Sequence, residues 1–304
     1  MSKSLANETT KTYNKMINKL KKDMNIKNNN YFINNFDNVI KYIKDNYPNI
    51  GSQITLISSI MYILNNDDTL YNIFVNDYIQ KYRELLNENR LIIQNNKKDN
   101  KKNDKEQKNW ISLIELHHIF RQNYNKIKDI LLNKVNYILN EELFNQIQNT
   151  VLLSLYIMME PRRSEYIKLK YKNYDINKDN YIDIINKKMG LNQYKTDKKY
   201  DKFEIDLNKK IYEILNNYIN FKIRNKLDIS DYLFTTFNNK NIDNSQLAKR
   251  LNKIIGKNIS VSMIRKIYLS DIYGDDLNQI KKLSNTSKNM GNSINTIINN
   301  YIKK

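Results

Sequence analysis

The chain has 304 residues, 40% hydrophobic and 11% aromatic, enough apolar material for a packed core and against disorder throughout. Its 51 basic residues against 32 acidic leave a formal charge of +19, a surplus that implies a polyanionic partner, nucleic acid being the usual one. With no Cys and only His117 and His118, disulfides, thiol nucleophiles and zinc ribbons are excluded. No apolar run reaches membrane-spanning length and no signal-peptide pattern opens the chain, so an intracellular, soluble protein is expected.

The Lys excess accompanies abundant Asn, Ile and Tyr, the composition that an AT-rich gene produces without selection for binding. Only eight of the basic residues are Arg, so each planar guanidinium carries more information than each Lys.

In chain order, Tyr13, Ile17, Leu20 and Met24 recur at helical spacing behind Asn7 as N-cap. A second helix runs through "NNFDNVIKYIKDNY" to a stop near Pro48. A third follows in "SQITLISSIMYILNN" with Ser52 as cap, and a fourth in "TLYNIFVNDYIQKYRELLNENR". This all-α module, residues 1–93, reads equally as a DNA clamp or as an interaction bundle. The segment 94–109, "QNNKKDNKKNDKEQKN", has no apolar residue and reads as a solvated linker.

The larger part, 110–304, opens on Ser112 and Glu115 at capping-box spacing. "EELFNQIQNTVLLSLYIMM" is apolar almost all round, as a core helix is. "YKNYDINKDNYIDIINKK" and "KYDKFEIDLN" then alternate, with Gly190 between them, and predict a small antiparallel sheet with a hairpin tip near "LNQYKTDKK". Helices resume in "NKKIYEILNNYINFKI", in "NSQLAKRLNKIIGK" with Ser245 as cap and Gly256 as stop, in "SVSMIRKIYLSDIYG" and in the tail. All five glycines fall at expected breaks. The fold class is mainly α with a small antiparallel β-sheet, α+β.

Four features of this part stand in a definite order: Arg162, Ser164 and Glu165, followed by Tyr171 to Asp175; Lys195 at the hairpin tip; Ser262 and Arg265 opening a later helix; and Gly291-Asn292-Ser293 with Tyr301 nine residues after Asn292. The pattern resembles the tyrosine recombinase (phage-integrase-like) family, of viral or mobile-element type. The likeness covers about residues 109 to 304 well and the first 95 loosely. It implies a helical core-binding domain ahead of a catalytic domain, the two clamping double-stranded DNA, a homo-tetramer on DNA, and neither metal nor small-molecule cofactor.

The resemblance also implies roles. Breaking DNA without hydrolysis needs a nucleophile that stays on the phosphate, and a tyrosine hydroxyl does this by forming a phosphotyrosyl ester. Tyr301 is the implied nucleophile, Arg162 and Arg265 the donors to the non-bridging oxygens, and Lys195 the acid for the leaving oxygen. The sequence departs from the family at two positions, where Ser262 and Asn292 stand in place of histidine. Both can donate a hydrogen bond, but neither shuttles protons near neutral pH. His117 and His118 lie outside every box and are expected at helix surface and core edge. The expected activity is site-specific recombination or integration; the alternatives are an impaired recombinase-like DNA-binding protein and a type IB topoisomerase or hairpin-end resolvase.

Overall fold

The structure is a computed structural model and describes residues 7–67, 70, 75–96, 101–194 and 202–298. Two compact units divide the chain, Met1–Lys102 and Asn103–Lys304. Among the described residues it is mostly helical, with one four-stranded sheet.

The first unit consists of α1 (Asn7–Asp23), α2 (Tyr31–Asn34), α3 (Phe36–Asn46), α4 (Ile50–Asn66) and α5 (Val75–Asn96). Helix α4 packs against both α1 and α5. The apolar positions that set the helical period are those that go inside: Ile17, Leu20, Val39, Ile43, Leu56 and Ile60 are all buried. Tyr82 of α5 is fully buried and donates from its hydroxyl to the Phe32 carbonyl at 2.8 Å, so its one polar atom is satisfied inside the core. The N-cap of α4 is Asn49 rather than Ser52: the Asn49 side chain accepts from the Ser52 backbone N–H at 3.2 Å. The helix therefore starts a turn earlier, directly behind Pro48.

The second unit begins with α6 (Asp104–Asn109), α7 (Leu113–Leu131) and α8 (Glu141–Met158). The expected solvated linker 94–109 is thus helical at both ends. Its C-terminal part is α6, closed by a capping box between Asn103 and Glu106. Ser112 and Glu115 form the second capping box, opening α7. Helix α8 is buried on every side from Ile147 to Ile157. Some of its polar groups are bonded across the core: the Gln148 side-chain oxygen accepts from the Thr235 N–H at 2.9 Å, and Asn149 accepts from Arg250 at 3.1 Å, while Asn145 Oδ1 and Gln148 Nε2 have no partner among the described residues.

The sheet contains β1 (Leu169–Lys170), β2 (Asn180–Asp183), β3 (Lys188–Leu191) and β4 (Phe203–Asp206) in the order β1-β2-β3-β4. Its last three strands are antiparallel, but β1 runs parallel to β2, so the sheet is mixed rather than wholly antiparallel. A hydrophobic period of two is the same for either direction, so the alternation could not separate them. Gly190 is not a break between strands but lies inside β3 opposite Tyr181, whose ring lies across its α-carbon: an added Cβ would sit 2.2 Å from a ring carbon.

Helices α9 (Lys209–Arg224), α10 (Asn244–Ile255), α11 (Val261–Tyr273), α12 (Leu277–Asn289) and the short α13 (Ile294–Thr296) complete the unit. The N-cap of α10 is Asp243, which forms a capping box with Gln246, while the Ser245 hydroxyl donates to the Asp243 carboxylate. Gly256 ends α10 at φ 75°, the left-handed conformation that a Cβ disfavours. Gly51, by contrast, sits in the first turn of α4. Among the described residues, no helix is long and apolar enough to cross a membrane.

Candidate active site

Helix α8 delivers the chain into the loop Glu160-Pro161-Arg162-Arg163-Ser164. Two buried tyrosines fix this loop at its ends. Tyr156 donates to the Arg163 carbonyl at 2.7 Å, and Tyr166 donates to the Glu160 carbonyl at 2.7 Å. Their rings meet edge to face, 5.1 Å between centres. Burial pushes both phenols well above their ordinary range, so they persist as neutral donors.

The loop so held presents the Arg162 guanidinium 4.8 Å from the centre of the Phe203 ring and 5.2 Å from that of Tyr194. These two aromatics sit at the two ends of the connector from β3 to β4. The guanidinium is flanked by rings while the side chain remains partly exposed.

Arg265 comes from α11. Ser260 caps that helix by accepting from the Met263 N–H at 3.2 Å, and Met263, Ile264 and Ile267 bury its inner face. The outer face then carries Arg265, Tyr268, Leu269 and Tyr273. This helix is also fixed from outside: the Leu113 N–H donates to Asp271 at 2.5 Å, and Lys266 pairs with Glu106 of α6. The Lys266 hydrogen bond holds the Glu106 carboxyl below its usual range, against an opposing push from burial.

The loop and α11 face one cleft of about 340 Å³. Arg162, Arg163 and Arg265 line it, opposed by the carboxylates of Glu160 and Glu165. Tyr194, Tyr268 and Tyr273 supply its aromatic wall. Glu165 is buried, and one of its oxygens has no hydrogen-bond partner among the described residues. Among the described residues, three guanidiniums against two carboxylates make an anion-attracting site, and two forks from different elements suit a phosphate diester.

The expected residues are not all here. Ser262 is exposed on α11, and Asn292 donates to the Met290 carbonyl at 3.1 Å; neither is among the described residues that line the cleft. Lys195 and Tyr301 lie outside the described residues. His117 is half-buried and His118 exposed on α7, where His118 contacts Gln122 at 2.9 Å. Burial, with Arg121 and Lys210 nearby, lowers the His117 pKa. Among the described residues no group of His, Asp or Glu has the makings of a metal site.

Sequence reasoning passed over Tyr156, Tyr166, Tyr194, Phe203, Tyr268 and Tyr273. In a chain with 23 tyrosines, a ring beside a motif carries no mark that separates it from the rest. Compared with protein-family models, with curated proteins and with solved structures, the chain matches none.

Proposed function

We propose that the protein is a site-specific DNA strand transferase of the tyrosine-recombinase kind, working through a covalent 3′-phosphotyrosyl intermediate. The observation that carries this reading is the shared cleft of Arg162 and Arg265, which belong to two motifs far apart in the chain. Two forks on one phosphate stabilise the charge that builds on its non-bridging oxygens in the transition state.

In the proposed reaction the Tyr301 phenol oxygen attacks phosphorus and its proton leaves to water. The P–O5′ bond breaks, and Lys195 protonates the departing 5′ oxygen. Religation runs the same steps backward with a 5′ hydroxyl as nucleophile, so the ester conserves the bond energy and no nucleotide cofactor is consumed. In keeping with the family's habit, double-stranded DNA is the partner, and a tetramer on DNA the working assembly.

The placement of Ser262 and Asn292 outside the cleft lining favours a second reading, a DNA-binding protein on a recombinase scaffold with little or no cleavage. Covalent trapping decides between them. Wild type and Tyr301→Phe are incubated with fragmented DNA from the source element and quenched in detergent. A protein–DNA adduct with wild type alone supports strand transfer, and its sequenced ends give the site. Equal binding without adduct by both proteins supports the second reading.

A further inference from the structure

A site that gripped only phosphate would be walled by cations and N–H donors. This cleft is not. Beyond Arg265, the outer face of α11 continues with Tyr268, Leu269 and Tyr273, all lining the same cleft. Tyr273 is 51% exposed and Leu269 52%, although both line the cleft that holds the three arginines. Positions 265, 269 and 273 follow one another on one helix face, so Leu269 and Tyr273 lie about 6 Å and about 12 Å beyond Arg265 along the axis. A phosphate on Arg265 therefore has an apolar, aromatic shelf beside it on the scale of one nucleotide.

Within a duplex, each base covers its faces with its neighbours, and a ring at the level of the backbone has nothing planar to meet. A base taken out of the stack has a free face, and aromatic side chains are what proteins offer to such faces. The cleft volume of about 340 Å³ also falls in the range of pockets that hold small organic groups. Burial and the neighbouring Glu160 raise the Tyr268 phenol, which keeps its proton and serves as a neutral ring rather than a phenolate.

We infer that the cleft binds DNA whose base next to the gripped phosphate is unpaired, and that this base stacks on Tyr273 with Tyr268 and Leu269 beneath it. The inference rests on the strand-transfer reading for its phosphate at Arg162 and Arg265. It narrows the substrate class to DNA that is bulged, frayed or melted at the contacted step.

Fluorescence anisotropy with three labelled probes tests it: a fully paired duplex, the same duplex with a central bulge, and the bulged duplex with abasic sites replacing the bulged bases. Wild type is expected to bind the bulge about tenfold more tightly than the paired duplex, with the abasic probe losing that gain. Tyr273→Leu is expected to bind bulged and paired duplexes with similar strength. Persistence of the preference in Tyr273→Leu, or equal binding of bulged and abasic probes by wild type, would overturn the stacking inference. Arg162→Gln with Arg265→Gln separates this from the underlying reading. If that pair leaves all three affinities and their salt dependence unchanged, the phosphate site itself is wrong. Sedimentation covers the remaining occupant: a dimer that Tyr273→Leu converts to monomer, with the bulge preference intact, would assign the shelf to a second copy of the chain and overturn the inference.

Discussion

The guanidinium of Arg162 lies 4.8 Å from the centre of the Phe203 ring, so a residue of the loop after α8 is held by the first residue of β4. The contact ties the orientation of the proposed phosphate-binding fork to the sheet. Phe203→Leu is expected to lower the proposed strand cleavage about fivefold by releasing that fork, a loss in keeping with about 1 kcal/mol for a partly exposed cation–π contact. In the Arg162→Gln background, which has no cation for the ring to hold, the same substitution should cost little more. A double-mutant cycle on cleavage rates measures this, and simple additivity would disprove the coupling.

Arg162→Gln and Arg265→Gln are each expected to reduce covalent adduct formation by about 10²–10³-fold, the usual loss for one transition-state donor. Both side chains are partly exposed and neither carries a core, so thermal unfolding should shift little. Single-turnover adduct assays beside melting curves check both halves. A full-rate variant at either position would remove that arginine from the site.

Gly190→Ala is expected to destabilise the second unit by about 1–3 kcal/mol, because the new methyl would press on the Tyr181 ring at 2.2 Å. The Tyr181 hydroxyl donates to Glu204 at 2.6 Å, which keeps the ring from swinging aside freely. Trimming the ring with Tyr181→Leu should recover part of the loss. Urea midpoints of the single and double variants give the result, and an unchanged midpoint for Gly190→Ala would show that the ring does not hold its place over β3.

Lys222 is buried on α9, donating to the carbonyls of Tyr232 and Leu233 at 2.9 and 3.2 Å and facing the Tyr171 ring at 4.7 Å. Burial first, and then the charge of Lys172, push its amine down to about 8, with Asp228 opposing. The folded state therefore binds this proton less tightly than the unfolded chain. Between about pH 8 and pH 10.5 the unfolded chain holds more protons, so this group's contribution to stability rises with pH; below 8 its burial cost is constant. Wild type should gain on Lys222→Met across that window by at most roughly 3 kcal/mol. Denaturation of both proteins from pH 7 to 10.5 isolates the effect from the many tyrosines that titrate in each. Parallel curves would place the Lys222 amine at its ordinary value.

Glu106 joins two contacts, the capping box of α6 and the pair with Lys266 next to Arg265. Glu106→Gln is expected to cost about 1 kcal/mol near neutral pH, from the lost charge of the pair with Lys266, since a Gln at this position keeps the capping box. Since the folded carboxyl is held below its usual range, the difference should be present above about pH 4.5 and fade as pH falls through the folded value. A gap that stays constant to low pH would show that charge plays no part in holding α6 on α11.

Helix positions were readable because a buried face repeats every three to four residues, and Ser112 with Glu115 or Gly256 mark their ends through side-chain size and hydrogen bonding alone. Caps were less readable where several candidates stand together: Asn49 precedes Ser52, Asp243 precedes Ser245, and only the backbone path decides which side chain faces the free N–H groups. The charged run 94–109 reads as solvent-loving, yet Glu106 has a partner in Lys266, far along the chain, and the residues 104–109 become a docked helix. Composition cannot register a contact of that range.

The sequence alone determined that the protein is mainly helical, with a small sheet in its larger part, and it marked Arg162 and Arg265 as the arginines to watch. The helices and sheet are local properties, carried by periodicity and by caps; the two arginines were marked by motifs whose order resembles that of tyrosine recombinases. Which way β1 runs, which rings hold Arg162, and whether two distant arginines open on one cleft were decided only by tertiary packing. Each depends on side chains brought together by burial of the core around α8, and a linear order of residues does not contain that distance.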